Sequence, residues 1–270
     1  MNLDFTVAFT ERTPRIVNAA KLHRSAARKK ANAFIVEGEN SVEAAIATGA
    51  ATDVFVTEQA AQRFEPIVRL AENMGVYVHP ITDRAAKHLS DTISTTGLFA
   101  VCTPVLWKVG KALQGRPKLV SVPVETNDPG NAGTLIRVSD AVGADAVVFA
   151  GETVDPQSCK AVRSSAGSLF HLPVARETNI KDVMGQLRAQ GLQILATSAD
   201  GEVNLDEADE LLTKPTAWLF GNEAHGLGEE LLALADHRVR IPIRGRAESL
   251  NLATAASICL YESAKHLCTD

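Results

Sequence analysis

Hydrophobic positions in this chain come in short apolar runs separated by amphipathic stretches, and the two alternate almost from end to end. Thr13 followed by Pro14 is a helix-start signal, and the pattern predicts a helix over residues 13–30 that is basic and only weakly amphipathic. Strands are then expected at 33–36, 53–56, 76–78 and 98–102. Helices fill the gaps at 40–48, 60–73 and 82–89, the first two stopped by Gly49 and Gly75. Alternation with short connections predicts a small, parallel-leaning α/β domain over 1–105. Pro104 to Pro117, with Gly110, Gly115 and three basic residues, reads as a linker at 106–117. Beyond it, apolar runs at 119–124, 146–149, 172–174, 193–196, 217–220 and 239–241 predict a second α/β domain over 118–270. A long last helix is expected over 252–266.

Polar chemistry clusters where the predicted strands of the second half end. The run 119–124 leads into Asn127-Asp-Pro-Gly-Asn131-Ala-Gly-Thr-Leu-Ile-Arg137, a strand delivering a polar turn into a helix N-terminus. Strand ends of this kind are where α/β proteins place ligands. Read alone, the segment is a turn capped by Asn131 with a solvated Arg137. A second segment, Lys160-Ala-Val-Arg163-Ser164-Ser165-Ala-Gly167, carries groups suited to phosphate or carboxylate contacts, although a solvated helix face explains them equally well. The third is split between Gly221-Asn222-Glu223 and the stretch from Ile241 to Asn251, which holds Ser249 and Leu250. Gly221 after an apolar strand permits close approach of a backbone or ligand. Asn251 is placed to cap the last helix, which leaves Glu223 and Ser249 unexplained.

Composition narrows the classes. The chain has 270 residues, 46% hydrophobic and 22% charged, enough to bury a core, and its net charge is -5. The charge is uneven: Arg12, Arg15, Lys21, Arg24, Arg28, Lys29 and Lys30 face only Asp4 and Glu11 in the first 30 residues. A second basic group, Lys108, Lys111 and Arg116, follows. Local positive potential on an acidic body steers polyanions to one face. Cys102, Cys159, Cys259 and Cys268 show no C-x-x-C pair and the seven histidines no metal-binding spacing, so no metal and a reducing, cytoplasmic setting are expected. No window approaches a membrane span, and no membrane partner is expected. A nicotinamide dehydrogenase would need a G-x-G-x-x-G fingerprint, which is missing.

In order and spacing, Asn131 to Arg137, Arg163 to Gly167 and Gly221 to Asn251 resemble the three motifs of the SpoU (TrmH) branch of the SPOUT RNA methyltransferases, a match spanning 118–266. The basic start and small first half resemble the ribosomal-protein-like, substrate-binding domain of many members. The resemblance implies an α/β trefoil-knot methyltransferase domain, a homodimer, and transfer of a methyl group from S-adenosyl-L-methionine to a ribose 2′-hydroxyl in RNA, with large-subunit ribosomal RNA favoured. A tRNA target, and a non-catalytic RNA-binding protein on a decayed scaffold, are the alternatives. It implies catalytic roles for Arg137, Asn131, Glu223, Ser249 and Asn251. The cofactor would be held mainly by backbone around Thr197, Gly221, Ile241 and Leu250, and RNA by Arg163, Arg24, Arg28, Lys29 and Lys30.

Overall fold

The computed structural model describes residues 3–267, so Cys268 lies outside the described residues. The chain forms two compact units. One comprises residues 1–105 together with 155–171, and the other residues 106–154 together with 172–270.

The first unit is built on four strands, β1 (Phe34–Glu37), β2 (Ala51–Val56), β3 (Tyr77–Pro80) and β4 (Leu98–Cys102), in the order β1-β4-β2-β3. The expected parallel leaning holds only for β2 with β3. Strand β4 runs antiparallel to both β1 and β2. The predicted helix over 13–30 is broken into Pro14–Ala20, a 3₁₀ turn at Lys21–His23, and Ser25–Ala31. The helix expected over 60–73 likewise splits into Glu58–Arg63 and Glu65–Asn73 at Phe64, because Pro66 begins a new first turn.

Arg28 explains the first of these breaks and corrects one expectation. Its side chain is only 7% exposed, and it bonds Asp155 through Nε (3.0 Å) and Nη2 (2.7 Å). Its Nη1 donates to the carbonyls of Leu22 and His23, satisfying the 3₁₀ turn. A guanidinium committed in this way cannot reach RNA phosphate, so Arg28 is a structural residue. Residues 155–171, expected with the second half, pack in this first unit. Arg163 there forms an ion pair with Asp91, Nη1 to Oδ1 at 2.6 Å. Burial opposes ionisation of Asp91, but the Arg163 bonds outweigh it and hold the carboxyl below the usual carboxylate range.

The second unit is a seven-stranded parallel sheet: β5 (Leu119–Pro123), β6 (Ala146–Ala150), β7 (Val174–Glu177), β8 (Gln193–Thr197), β9 (Val203–Asn204), β10 (Thr216–Phe220) and β11 (His237–Arg240). Their order is β7-β6-β5-β10-β8-β11-β9. Alternate residues feed two cores. Val120, Val122, Ile194, Ala217 and Leu219 face one side with Val183, Met184 and Leu187 of the helix Ile180–Ala189. Leu119, Leu195, Trp218 and Phe220 face the other with Leu135 and with Leu252, Ala256, Cys259 and Leu260 of the last helix, Leu252–Leu267. Cover on both faces is why the central strands β5, β6 and β10 are buried throughout and largely apolar. Trp218 Nε1 donates to Ser263 Oγ at 2.7 Å, pinning that helix to the sheet. The expected linker is part of this unit: Val109, Ala112 and Leu113 are buried in its core, and Trp107 bridges to Ala175.

Two stability outcomes follow. Asp155→Ala leaves a buried guanidinium unpaired and is expected to cost about 3 kcal/mol in denaturant unfolding, whereas neutralising the exposed Lys29 should change stability little. Asp53 is held below the usual carboxylate range foremost by the His79 hydrogen bond, against opposing burial, with help from Thr52 and Arg15. Its stabilisation is therefore complete above the unfolded-state value of about 3.9 and is lost as pH falls through the lower folded-state value. Asp53→Asn should accordingly be less stable than the parent at pH 7, with the gap closing in acid-unfolding curves toward pH 2.

Candidate active site

The sequence order β5, β6, β7 runs outward on one side of the sheet, and β8 lies on the other side of β5, with β10 filling the place between them. This reversal is a topological switch point, where loops at the carboxyl ends of parallel strands diverge and leave a crevice. The loop after β5 starts the helix Pro129–Ala141 there, and the loop after β10 is the tight turn 221–226.

The start of the helix departs from expectation in a useful way. Its cap is Asp128, whose Oδ1 accepts from the Asn131 backbone N–H at 2.8 Å, with Pro129 at the first position. Asn131 is thereby released from capping, and its amide Nδ2 donates to Glu223 Oε1 at 3.0 Å. Its Oδ1 accepts from Asn251 Nδ2 at 3.1 Å. Asn251 caps the last helix as expected, its Oδ1 accepting from Ala253 N–H at 2.9 Å and Thr254 N–H at 3.3 Å. Three residues separated by up to 120 positions thus form one directed chain. An ionised carboxylate only accepts and helix-terminal amides only donate, so the orientation of both Asn side chains is determined from both ends.

Asn222 is a site residue that the motif contained but the sequence reading did not nominate. Its side chain is buried; Nδ2 donates to the Glu125 carbonyl at 2.6 Å, and Oδ1 accepts from Ala224 N–H at 2.8 Å. It ties the loop after β10 to the loop after β5 and so sets where Glu223 stands. Its only signal in the sequence was its place between Gly221 and Glu223. Gly221 owes its size to the same turn: an added Cβ would lie 2.4 Å from the Gly226 carbonyl carbon. The chain's own backbone, not a ligand, imposes that glycine.

Thr197, Gly221 and Ile241 lie at or just beyond the carboxyl ends of β8, β10 and β11, three neighbouring strands, and Leu250 lies just before the last helix. Thr197 Oγ1 donates to the Leu219 carbonyl at 3.1 Å. Residues 242–250 adopt no regular secondary structure and, among the described residues, enter no backbone–backbone hydrogen bond. Their N–H and C=O groups, flanked by the partly exposed apolar Ile241, Ile243 and Leu250, suit a ligand that combines polar ends with an apolar middle. Ser249 is exposed in this loop.

Arg137 is not joined to the chain of Asn131, Glu223 and Asn251. It sits six residues after Asn131, roughly 9 Å along the helix axis and about 120° around it. Its side chain is exposed and makes no hydrogen bond or ion pair among the described residues. Within one chain, then, Asn131 and Glu223 do not hold Arg137, although the resemblance gives all three catalytic roles. Arg24, Lys29 and Lys30 are exposed, in contrast to Arg28. No helix among the described residues is long and apolar enough to cross a membrane.

Comparison with known proteins places this geometry. The chain is 33% identical to the 23S rRNA (guanosine(2553)-2′-O)-methyltransferase RlmP of Bacillus subtilis, over 89% of this chain and 92% of that protein. It is 35% identical to a 23S rRNA (uridine(2479)-2′-O)-methyltransferase of Streptomyces viridochromogenes, over 67% and 71%. The crystal structure of an AdoMet-bound rRNA methyltransferase from Sinorhizobium meliloti superposes with a TM-score of 0.83 at 29% identity, covering 95% of this chain and 96% of that one. Residues 13–100 match the MRM3-like substrate binding domain. Residues 118–261, which hold the switch-point crevice and the Glu223–Asn131–Asn251 chain, match the SpoU rRNA Methylase family, and the protein belongs to that family.

Proposed function

We propose that this protein methylates a ribose 2′-hydroxyl in RNA, with large-subunit ribosomal RNA as the substrate and S-adenosyl-L-methionine as the methyl donor. The observation that carries the reading is the directed chain Glu223–Asn131–Asn251 at the switch point, with a stretch, 242–250, that enters no backbone–backbone hydrogen bond among the described residues. The donor's sulfonium supplies an electrophilic methyl group, so the protein's task is to bring a hydroxyl into line and let its proton go. Thr197, Gly221 and Ile241 at the strand ends, with Leu250 just before the last helix, would hold the donor. The backbone-held mode is consistent with the missing glycine fingerprint, and with a trefoil-knotted C-terminal segment in this unit. Asn131 and Asn251, fixed from both ends of their chain, present preset polar groups to the ribose, with Ser249 beside them. Glu223 sets their orientation.

Arg137 is assigned to the substrate's phosphate. A guanidinium stays protonated at any working pH, so it holds the phosphate rather than acting as a base. Its distance from Asn131 along and around the helix favours a site completed by a second copy of the chain. Tyr261, 61% exposed on the last helix, gives that helix a large outward side chain for such a contact. The first unit, with Arg24, Lys29 and Lys30 on its surface, contributes RNA affinity. The match of residues 13–100 to a substrate binding domain supports this division of labour.

Arg137→Ala is expected to lower methyl transfer to labelled ribosomal RNA by at least a hundredfold while leaving donor affinity in calorimetry within about threefold. Arg137→Lys should rescue little, because a point charge does not reproduce a planar fork. If two chains complete one site, mixing Arg137→Ala with a donor-side variant such as Leu250→Asp restores part of the activity. A fully active monomer in sedimentation and turnover at one concentration would rule out the shared site. Loss of donor binding in folded Arg137→Ala would remove Arg137 from the phosphate role.

Neutralising Arg24, Lys29 and Lys30 together should weaken RNA binding and reduce the slope of log K against log salt by roughly two to three. An unchanged slope would make this surface a bystander. Arg28→Ala is expected to act through stability instead, visible as a lowered unfolding midpoint.

A further inference from the structure

His23, Asp91 and Cys159 come from three distant parts of the first unit: the end of the 3₁₀ turn, the loop after the helix Asp83–Leu89, and the first residue of the helix Cys159–Ser165. Their ligating atoms all lie within 4.8 Å of one another. His23 Nδ1 stands 3.1 Å from Cys159 Sγ, while its other ring nitrogen, Nε2, is 2.7 Å from the Leu89 carbonyl. A carbonyl only accepts, so Nε2 carries the proton and Nδ1 presents a lone pair toward the sulfur. An imidazole whose far N–H is tied to a backbone carbonyl is the usual arrangement of a metal-ligating histidine. Asp91 is likewise steadied from behind, by Arg163. The three residues border a cavity of ≈ 10 Å³, with Ile35, Val36, Leu89 and Phe99 forming its apolar wall. That is about the room one water or ion occupies.

We propose that His23, Asp91 and Cys159 form a binding site for a divalent transition-metal ion, zinc by preference, in the first unit. One nitrogen, one thiolate and one carboxylate match the ligand softness of Zn²⁺ and exclude the oxygen-only preference of Mg²⁺ and Ca²⁺. Ligand atoms around a tetrahedral zinc stand roughly 3.2–3.7 Å apart, so the His23–Cys159 pair, at 3.1 Å, has to open slightly and Asp91 to close in from within 4.8 Å. The fourth position falls to water, since Asp91 is exposed. Binding displaces the thiol proton to solvent. The charges then balance: Cys159 thiolate and Asp91 offset the ion, and Arg163 is offset by Glu37, which is itself held by Ser90, Thr95 and Thr96. The consequence is mechanical. Cys159 belongs to the interposed segment 155–171, and His23 and Asp91 do not, so the ion joins that segment to the rest of its unit alongside the Arg28–Asp155 pair.

The test titrates Co²⁺ into the reduced, untagged full chain and reads the near-ultraviolet thiolate-to-cobalt charge-transfer band. One equivalent should saturate the band, and Zn²⁺ should bleach it by displacement. Cys159→Ser should abolish the band, Cys268→Ser should keep it, and Asp91→Asn and His23→Gln should each weaken Co²⁺ binding at least tenfold. Excess Zn²⁺ should raise the thermal midpoint of the parent but not of Cys159→Ser. The site is overturned if no band forms, or if the band survives in Cys159→Ser. Should Cys159→Ser prove unfolded by circular dichroism, undiminished Co²⁺ affinity in folded Asp91→Asn and His23→Gln overturns it equally.

Discussion

Strand β10 hydrogen-bonds to two parallel neighbours at once, β5 over its whole length and β8 over four residues, and the functional architecture of the second unit depends on that double pairing. Its residues are buried throughout, with Trp218 and Phe220 on one face and Ala217 and Leu219 on the other. The pairing register sets Phe220 opposite Pro123. The turns that follow these two residues therefore emerge side by side, and Asn222 can reach the Glu125 carbonyl across them. A slip of one residue would turn Trp218 toward the opposite core and move Glu223 off Asn131. Core packing and site geometry are determined by the same ladder.

The Glu223–Asn131–Asn251 chain shows how a capping interaction can double as a site component. Asn251 has one oxygen and one amide nitrogen to offer: the oxygen terminates the last helix, and the nitrogen faces Asn131. The last helix is itself anchored by Trp218 to Ser263 and by a buried apolar face. Asn131 is positioned by a different device, Asp128 taking the cap so that Asn131 stays available. Each functional amide is thus held by an element whose stability comes from burial, which keeps its orientation independent of any ligand.

Much of this was legible in the sequence, for identifiable reasons. The central strands β5, β6, β8 and β10 of the second unit read clearly because both faces are covered and the runs are largely apolar. Strand β9 was not anticipated, and β7 (Val174–Glu177) and β11 (His237–Arg240), with polar residues in them, are offset from their apolar runs. The strand-end polar segments stood out because Asn, Asp and Gly after an apolar run have a defined role in turns and caps. The first unit was less transparent: β4 reads as one more apolar run, and nothing in 98–102 reveals that it runs antiparallel to β1 and β2. Arg28 looked like one of seven similar cations, because burial depends on Asp155, 127 positions away. Cys159 and His23 are 136 positions apart, so no spacing rule could pair them. Local periodicity reports which face a residue occupies, whereas ion pairs and ligand sets are decided by contacts that periodicity does not encode.

The segment 155–171 brings these threads together. Its motif residues look alike in sequence, yet the structure divides their work. Arg163 is turned to Asp91, and Ser165 is fully buried with its hydroxyl donating to the Val162 carbonyl. Gly167, at φ +96, lets the chain pass the Asn40 carbonyl, where a Cβ would lie 2.9 Å from the oxygen. These contacts fasten the segment to the rest of its unit. A motif segment can therefore serve to lock the chain in place, and uncommitted polar groups are a second place to look for substrate contacts. In this chain Arg137 and the backbone of 242–250 are two such places, with the exposed Arg24, Lys29 and Lys30 on the first unit. Among the described residues the exposed Arg137 side chain makes no hydrogen bond or ion pair, and the largely exposed stretch 242–250 enters no backbone–backbone hydrogen bond.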